Sequence, residues 1–406
     1  KVKMAIILLS SSTMGEYAQG DTRYPTPLPF LDRLSCPWHE NMANKKRHPK
    51  GFLSKTGDFV TKNVRVIVCG FGRVGRNFAR LMDSKRRIVA RRYGLTLDLL
   101  GVGELNGSVL SASPIPPSGL ADYFEAHGNL GNYPGSGKTG WEGADIIREI
   151  KEADVFVETT PTNIQTGEPA LSHIRAALSR GMHVVSANKG PFIRSYNFLK
   201  SLADSKGASL KLSAASAAAL PILDVAQTCL AGAEIHTIEG ILNGTSNFIL
   251  SRMRIGDEDY EMALAEAQRL GIAESDPALD VEGYDTVNKL ALIANVAMEA
   301  NILPEQISRT GIVDISAEQV RQAAAEGKIM RLLGRAVMDQ SGRVSATVAP
   351  ELLSKNHPLA SVDGAEKGVT FTTDTMDRIT VAGGKSDPKG AAAALLKDIL
   401  NIYRAP

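Results

Sequence analysis

The sequence predicts an α/β protein of two unlike parts, a parallel sheet flanked by helices followed by a mixed sheet with helices of its own. Three observations carry that reading. The alternating, β-branched run VRVIV at 64–68 leads directly into a glycine-rich turn and a helical pattern. Two more strand-like runs, 153–160 and 183–186, bracket a helix, which is the order of a parallel βαβ unit. From residue 329 onward, short alternating runs separated by turns replace the alternation of strand and helix, as an antiparallel or mixed sheet requires.

Composition narrows the function classes. With 43% hydrophobic residues, 22% charged residues and a net charge of +2, the chain is that of an ordinary globular protein. Nothing in that balance points to a nucleic-acid or membrane-surface partner. The three cysteines, Cys36, Cys69 and Cys229, are too scattered for a disulfide framework or a zinc site and suit the reducing cytoplasm. Seven histidines without HExxH spacing argue against a histidine-built metal centre, so no metal is expected. No apolar run reaches the length of a membrane span.

Residues 1–62 show neither helical nor strand periodicity and read as a poorly ordered N-terminal extension. Their apolar run at 4–9 is too short for the core of a signal peptide. Met42 is the expected start, because MANKKRHPKGFLSKTGDF leads into the first strand.

The first strand ends in Gly70-Phe71-Gly72-Arg73-Val74-Gly75, and Val74, Phe78 and Leu81 then share one helix face. The physics asks for glycine at each of its three places. Gly70 makes the tight turn, Gly72 lets backbone approach a pyrophosphate, and Gly75 lets helix pack on strand. The helix N-terminus supplies N–H donors and a favourable dipole to the phosphates. Strand, GxGxxG and helix together give a Rossmann-type nucleotide-binding domain over 63–200. A second strand at 97–102 ends at Gly103-Glu104. An acid there bonds ribose hydroxyls and repels a 2′-phosphate, favouring NAD over NADP, while Arg73 and neighbouring arginines act the other way.

In the βαβ unit, Leu171, Ile174 and Leu178 are in helical register and Gly181 is the stop. Thr159 and Thr160 close its first strand and Lys189 follows its second. All three therefore lie at carboxyl ends of parallel strands, where such sheets bind ligands.

Past Pro191 the texture changes, and 201–380 reads as a second domain. Small residues dominate 209–220 and permit close backbone approach. A strand at 236–242 runs into Asn243-Gly244-Thr245, with Thr245 as helix cap, and helices are expected at 257–270 and 283–300. Between them GIAESDPALDVEGYDTVNK (271–289) holds five carboxylates, Glu274, Asp276, Asp280, Glu282 and Asp285, and then Lys289. Asp280 is the expected cap of the helix that carries Asp285 and Lys289 on one face, four residues apart. Acids so placed grip the ammonium of a small zwitterion while a lysine faces a reacting oxygen. The same spacing also describes an ordinary solvated Asp–Lys pair, and the remaining motifs decide between the two. Gly383 and Gly384 open the last segment, 381–406, with a helix reaching Tyr403.

Taken in order, GFGRVG (70–75), VETTPT (157–162), SANKGP (186–191), GILNGTSNFIL (240–250) and LGIAESDPALDVEGYDTVNK (270–289) resemble homoserine dehydrogenases over about residues 64–404. That resemblance implies an NAD(P)-dependent oxidoreductase interconverting L-homoserine and L-aspartate 4-semialdehyde in amino-acid biosynthesis, with an amino-acid substrate and a homodimeric state. It makes 201–380 a catalytic and dimerisation domain and returns the last helix to the nucleotide-binding domain, so Gly383 and Gly384 border the cofactor. It assigns Lys289 as proton donor, Asp285 as its neighbouring acid, and Glu274 and Asp280 to the amino end of the substrate. Asn243, Gly244 and Thr245 line the substrate, Lys189 stands between cofactor and substrate, and Thr159 and Thr160 stand beside the nicotinamide. The chemistry of the residues agrees, since an alcohol-to-carbonyl conversion leaves charge and a proton on oxygen that a lysine can manage when burial and a second lysine ease its proton loss.

The chain also departs from the family pattern. A glutamate of the family's cation site is here Ser213, eight residues before Pro221, so bound sodium is not expected. The glycine-rich run before that proline is Ser-Ala-Ala-Ala-Leu, and the last loop reads GGKSDPKG where a GxGAG-like run is common, placing Lys385 and Asp387 at the cofactor or substrate edge. The family's regulatory ACT module would follow the last helix, and feedback through it is not expected. Two alternatives stay open: a homologue acting on another small amino hydroxy acid or aldehyde, and a catalytically silent NAD(P)-binding protein. An acylating aldehyde dehydrogenase is disfavoured because Cys69 lies within the first strand.

Overall fold

The protein is organised about β1 (Lys62–Cys69), whose valines and isoleucine are buried on both faces as a central parallel strand requires. A computed structural model describes residues 61–404 apart from Asn106, Asp257, Lys385 and Ser386. The expected disorder before residue 61, the start at Met42, Cys36 and the edge role of Lys385 lie outside the described residues. After β1 the chain forms α1 (Arg73–Tyr93) and β2 (Leu95–Gly103). It continues through β3 (Gly107–Leu110), α2 (Pro117–His127), β4 (Gly137–Thr139) and α3 (Gly143–Glu149). Next come β5 (Val155–Glu158), α4 (Ala170–Ser179), β6 (His183–Ser186), α5 (Gly190–Ser205) and β7 (Leu210–Lys211).

The sheet order is β4-β3-β2-β1-β5-β6-β7. Strands β2, β1, β5, β6 and β7 are parallel, whereas β3 and β4 add an antiparallel edge. That edge is not anticipated by the sequence pattern, since GSVL and GKT open on glycine and lack the valine-rich character of the comparably short β5 and β6. The chain leaves β1 for β2 on one side and later enters β5 on the other. The order thus reverses at the carboxyl ends of β1 and β5, opening the crevice in which such sheets take ligands.

The small-residue run then forms α6 (Ser213–Ala217) and α7 (Ile222–Asp224). The second sheet and its helices follow as β8 (Ile235–Ile241), α8 (Gly244–Ile255), α9 (Tyr260–Arg269), α10 (Ala278–Val281), α11 (Tyr284–Ala297), β9 (Ser308–Arg309) and α12 (Ala317–Ala325). Strands β10 (Lys328–Met338), β11 (Val344–Ser354), β12 (Lys367–Thr373) and β13 (Arg378–Gly383) complete it. Its order is β13-β12-β8-β10-β11-β9, antiparallel except where β9 joins β11, so it is a mixed sheet.

The last helix, α13 (Pro388–Tyr403), returns to the first sheet. Its Ala391, Ala392, Leu395 and Ile399 enter one core with Val64, Val66 and Phe78. A buried polar clasp fixes it from the other side. Asp398, wholly buried, accepts the Ser213 N–H at 3.0 Å and the Ser213 hydroxyl at 2.8 Å, and Lys397 pairs with Asp224. Ser213 is thereby committed to holding α13.

Three local readings are corrected. Helix α8 is capped by Asn243, whose side chain accepts the Ser246 N–H at 2.9 Å. Thr245 sits inside the first turn and its hydroxyl donates to the Ile272 carbonyl at 3.1 Å. Asp280 does not cap α11, because it belongs to the separate turn α10. The chain enters α11 through Gly283 at φ 87°, a left-handed position that glycine takes at little cost. Helix α9 starts later than residue 257, at the cap Asp259, which accepts the Met262 N–H at 2.9 Å.

Candidate active site

The crevice at β1 and β5 is shaped for a dinucleotide. Gly70 has φ 85°, and a Cβ there would stand 2.5 Å from the Thr159 backbone; one on Gly75 would stand 2.4 Å from the Gly70 carbonyl. Gly72, by contrast, faces open space within 4 Å. Two glycines are therefore demanded by packing, and the third leaves room for a phosphate against bare backbone. Helix α1 has no side-chain cap and no acid in its first turn, so its leading N–H groups and dipole remain available to an anion. These features fit a pyrophosphate. Glu104 stands at the same loop and accepts the Phe71 N–H. Arg73 is exposed there, while Arg76 and Arg80 already pair with Glu125.

The far wall is tied together by hydrogen bonds. Thr159 donates its hydroxyl to the Gly70 carbonyl at 2.6 Å. Buried Glu158 accepts the Thr160 N–H at 2.7 Å and the Thr160 hydroxyl at 2.5 Å, and lies 3.1 Å from His173. Asn188 donates to the carbonyls of Thr160 and Pro161, each at 3.1 Å, and accepts the Gly190 N–H at 3.0 Å. The ends of β5 and β6 are thus clasped, which fixes Lys189 between them.

Lys189 reaches 3.2 Å to one oxygen of Asp285. Lys289 reaches 2.5 Å to the other and also donates to the Leu242 carbonyl at 2.9 Å. Asn243 donates to the same Asp285 oxygen at 2.9 Å and to Asp280 at 2.6 Å. Burial pushes the Asp285 carboxyl up, but the charges of Lys289 and Lys189 and the hydrogen bonds from Lys289 and Asn243 outweigh it. The net result holds Asp285 ionised well below the usual carboxylate range. A cavity of about 760 Å³ opens on Lys189 and Asp285, with Thr162, Tyr284, Asn288 and Arg309 also on its wall.

Of the residues singled out from the sequence, Lys189, Asn243, Asp280, Asp285 and Lys289 are joined in this one network. Gly244 packs against the Ala365 carbonyl, which a Cβ would approach to 2.8 Å. Glu274 is exposed and, among the described residues, forms no hydrogen bond to the network. Gly383 and Gly384 are left-handed, at φ 108° and 73°, and Gly384 abuts Leu220. Cys69 is buried inside β1, and burial, then Glu158 and Glu104, push its thiol up, which unsuits it as a nucleophile. No cluster of three or more His, Cys, Asp or Glu residues among the described ones is placed to hold a metal ion. No helix among them is long and apolar enough to cross a membrane.

One charged neighbour escaped the sequence. Lys367, at the start of β12, is only 1% exposed and donates to the Ala217 carbonyl at 3.0 Å. In the string AEKGVTF a lysine reads as a surface charge, and only the tertiary fold brings it toward Lys289.

Comparison with known proteins places the chain in a family. The family model for homoserine dehydrogenase matches residues 221–400. The NAD(+)-dependent homoserine dehydrogenase of Pseudomonas canavaninivorans is 36% identical over 346 residues, which cover 84% of this chain and 96% of that protein. The chain belongs to the homoserine dehydrogenase family. A homoserine dehydrogenase of Methanocaldococcus jannaschii is 34% identical over 340 residues, 84% of this chain and 98% of that protein. Among solved structures, a putative homoserine dehydrogenase from Archaeoglobus fulgidus shares the fold with a TM-score of 0.75 at 32% identity, covering 84% of this chain and 100% of that one.

Proposed function

We propose that the chain interconverts L-homoserine and L-aspartate 4-semialdehyde as an NAD(P)-dependent oxidoreductase acting on a CH–OH group, with Lys189, Asp285 and Lys289 as its reaction centre. The observation that carries this reading is the single carboxylate held between two ammonium groups at a dinucleotide-shaped crevice. When bound, the nicotinamide supplies or accepts the hydride. In the oxidative direction a lysine amine takes the hydroxyl proton; in the reductive direction its ammonium stabilises charge developing on the carbonyl oxygen and returns a proton. Lys289 has that role, Lys189 adds the second charge, and Asp285 aims both.

The carboxylates of Asp280, which Asn243 holds by donating to it, and of Glu274 are assigned to the substrate ammonium, and Asn243, Gly244 and Thr245 line its backbone. Gly70 to Gly75 hold the pyrophosphate, Glu104 the ribose, Thr159, Thr160 and Lys189 flank the nicotinamide, and Gly383 and Gly384 border it. Glu104 favours NAD. Residues 63–200 serve the nucleotide, 201–380 serve catalysis and dimerisation, and 381–406 return to the nucleotide side. The protein works as a cytoplasmic homodimer. Initial rates with homoserine and each of NAD and NADP test the reading. Absence of turnover on homoserine, with cofactor demonstrably bound, would overturn it: turnover of another small amino hydroxy acid would then mark a homologue of different specificity, and turnover of none the silent protein.

A further inference from the structure

Lys367 is placed where a charge has consequences. Gly368 pairs with Ile241 across the antiparallel β12–β8 ladder, which sets Lys367 level with Leu242, the residue whose carbonyl receives Lys289. The Ala217 carbonyl that receives Lys367 also accepts the Leu220 N–H at 3.2 Å. It closes a turn in which Ala218 is held at φ 55°, a conformation costly for any residue with a Cβ. A buried ammonium of this kind, which has no carboxylate of its own among the described residues, must share the counter-charge of its surroundings.

Those surroundings contain little. Helix α11 presents Lys289 and Asp285, and the start of α5 presents Lys189. Helix α6 carries no charge, Leu242 just beyond the end of β8 is level with Lys367, and Gly383 on β13 is its paired neighbour. Glu239, further along β8, is already paired with Arg335 and His357. Among the described residues, three ammonium groups therefore share one carboxylate, and it cannot neutralise them all.

We propose that Lys367 is a third lysine of the reaction centre, a positioning residue that acts on Lys289 through the charge it places beside it. Burial first, then Lys289 and Lys189, bring Lys367 down to about 7, against the opposite pull of Asp285. Its charge thus changes near neutral pH. Protonated, it repels the proton on Lys289; neutral, it leaves Lys289 held by Asp285. The inference rests on the reading of Lys289 given above, and the two fail separately: Lys289→Ala is judged by turnover, Lys367 variants by the shape of a pH profile.

The experiment is the pH dependence of kcat for homoserine oxidation, from pH 6 to 10, in the full chain and two variants. Lys367→Met keeps the buried stem and removes the charge; the limb near pH 7 should vanish while a limb at higher pH stays. Lys367→Arg keeps the charge throughout, and the higher limb should move down by about one pH unit, the scale of a unit charge at close range. A Lys367→Met profile that superimposes on the wild type, or is scaled equally at every pH, marks a packing residue and overturns the proposal. Should the arginine variant not fold, the methionine variant decides alone.

Discussion

Lys189 and Asp285 are 96 residues apart in sequence and 3.2 Å apart in space. One leads into α5 just past a strand of the parallel sheet and the other opens a helix beside the second sheet. Their ion pair spans the crevice between the two. Because Lys289 takes the other oxygen of the same carboxylate, the three side chains hold one another at fixed spacing, which is what an oriented proton transfer needs.

Removing the proton-handling group should cost most. Lys289→Ala is expected to lower kcat by about 10²-fold or more, the scale of general acid–base catalysis. Steady-state rates with homoserine, on protein shown to be folded, check it. Wild-type turnover would remove Lys289 from the role.

Asp285 makes stability depend on acid. Its folded-state pKa lies well below the unfolded value, so its contribution is present above the unfolded carboxylate pKa of about 4 and is lost as pH falls from there toward the folded one. Melting temperatures between pH 6 and 2 should fall more steeply for the wild type than for Asp285→Asn. Parallel curves would show that Asp285 is not held in this way.

Cofactor choice should answer to Glu104, whose carboxylate stands at the Phe71 N–H. Glu104→Gln removes the repulsion of a 2′-phosphate and is expected to raise kcat/KM with NADP relative to NAD by about tenfold, the effect of about 1.4 kcal/mol. An unchanged ratio would transfer the preference to Arg73 and its neighbours.

The glycine turn makes a steric prediction. In Gly75→Ala the new Cβ meets the Gly70 carbonyl at 2.4 Å, so backbone must move. A loss of about 1–3 kcal/mol in unfolding free energy is expected, together with a higher KM for the dinucleotide. Denaturant titration and cofactor KM measure the two effects independently.

The parts of this molecule that were legible in the sequence are those whose signal is local. The 64–75 run carries strand, turn and helix start consecutively, and Asp285 and Lys289 share a face through helical spacing alone. The caps were harder, because Asn243, Thr245, Asp280 and Gly283 can each begin a helix, and the competition is settled by which backbone angles the surrounding chain imposes. Strands β3 and β4 each open on glycine and carry little of the β-branched signal that marks the comparably short β5 and β6. Lys367 was invisible because its burial is produced by α6 and β8, which lie far from it along the chain. Glu274 illustrates the converse: sequence proximity to Asp280 did not bring it into the same network.

The clasp between Ser213 and Asp398, with the seating of α13 against Val64, Val66 and Phe78, has a consequence for biogenesis. The apolar flank of β1 stays uncovered until α13 has been synthesised, so the parallel sheet is expected to complete its packing only once α13 has emerged. A chain shortened before Pro388 should be captured by hydrophobic chaperones and cut readily by protease, where the chain that carries α13 is not.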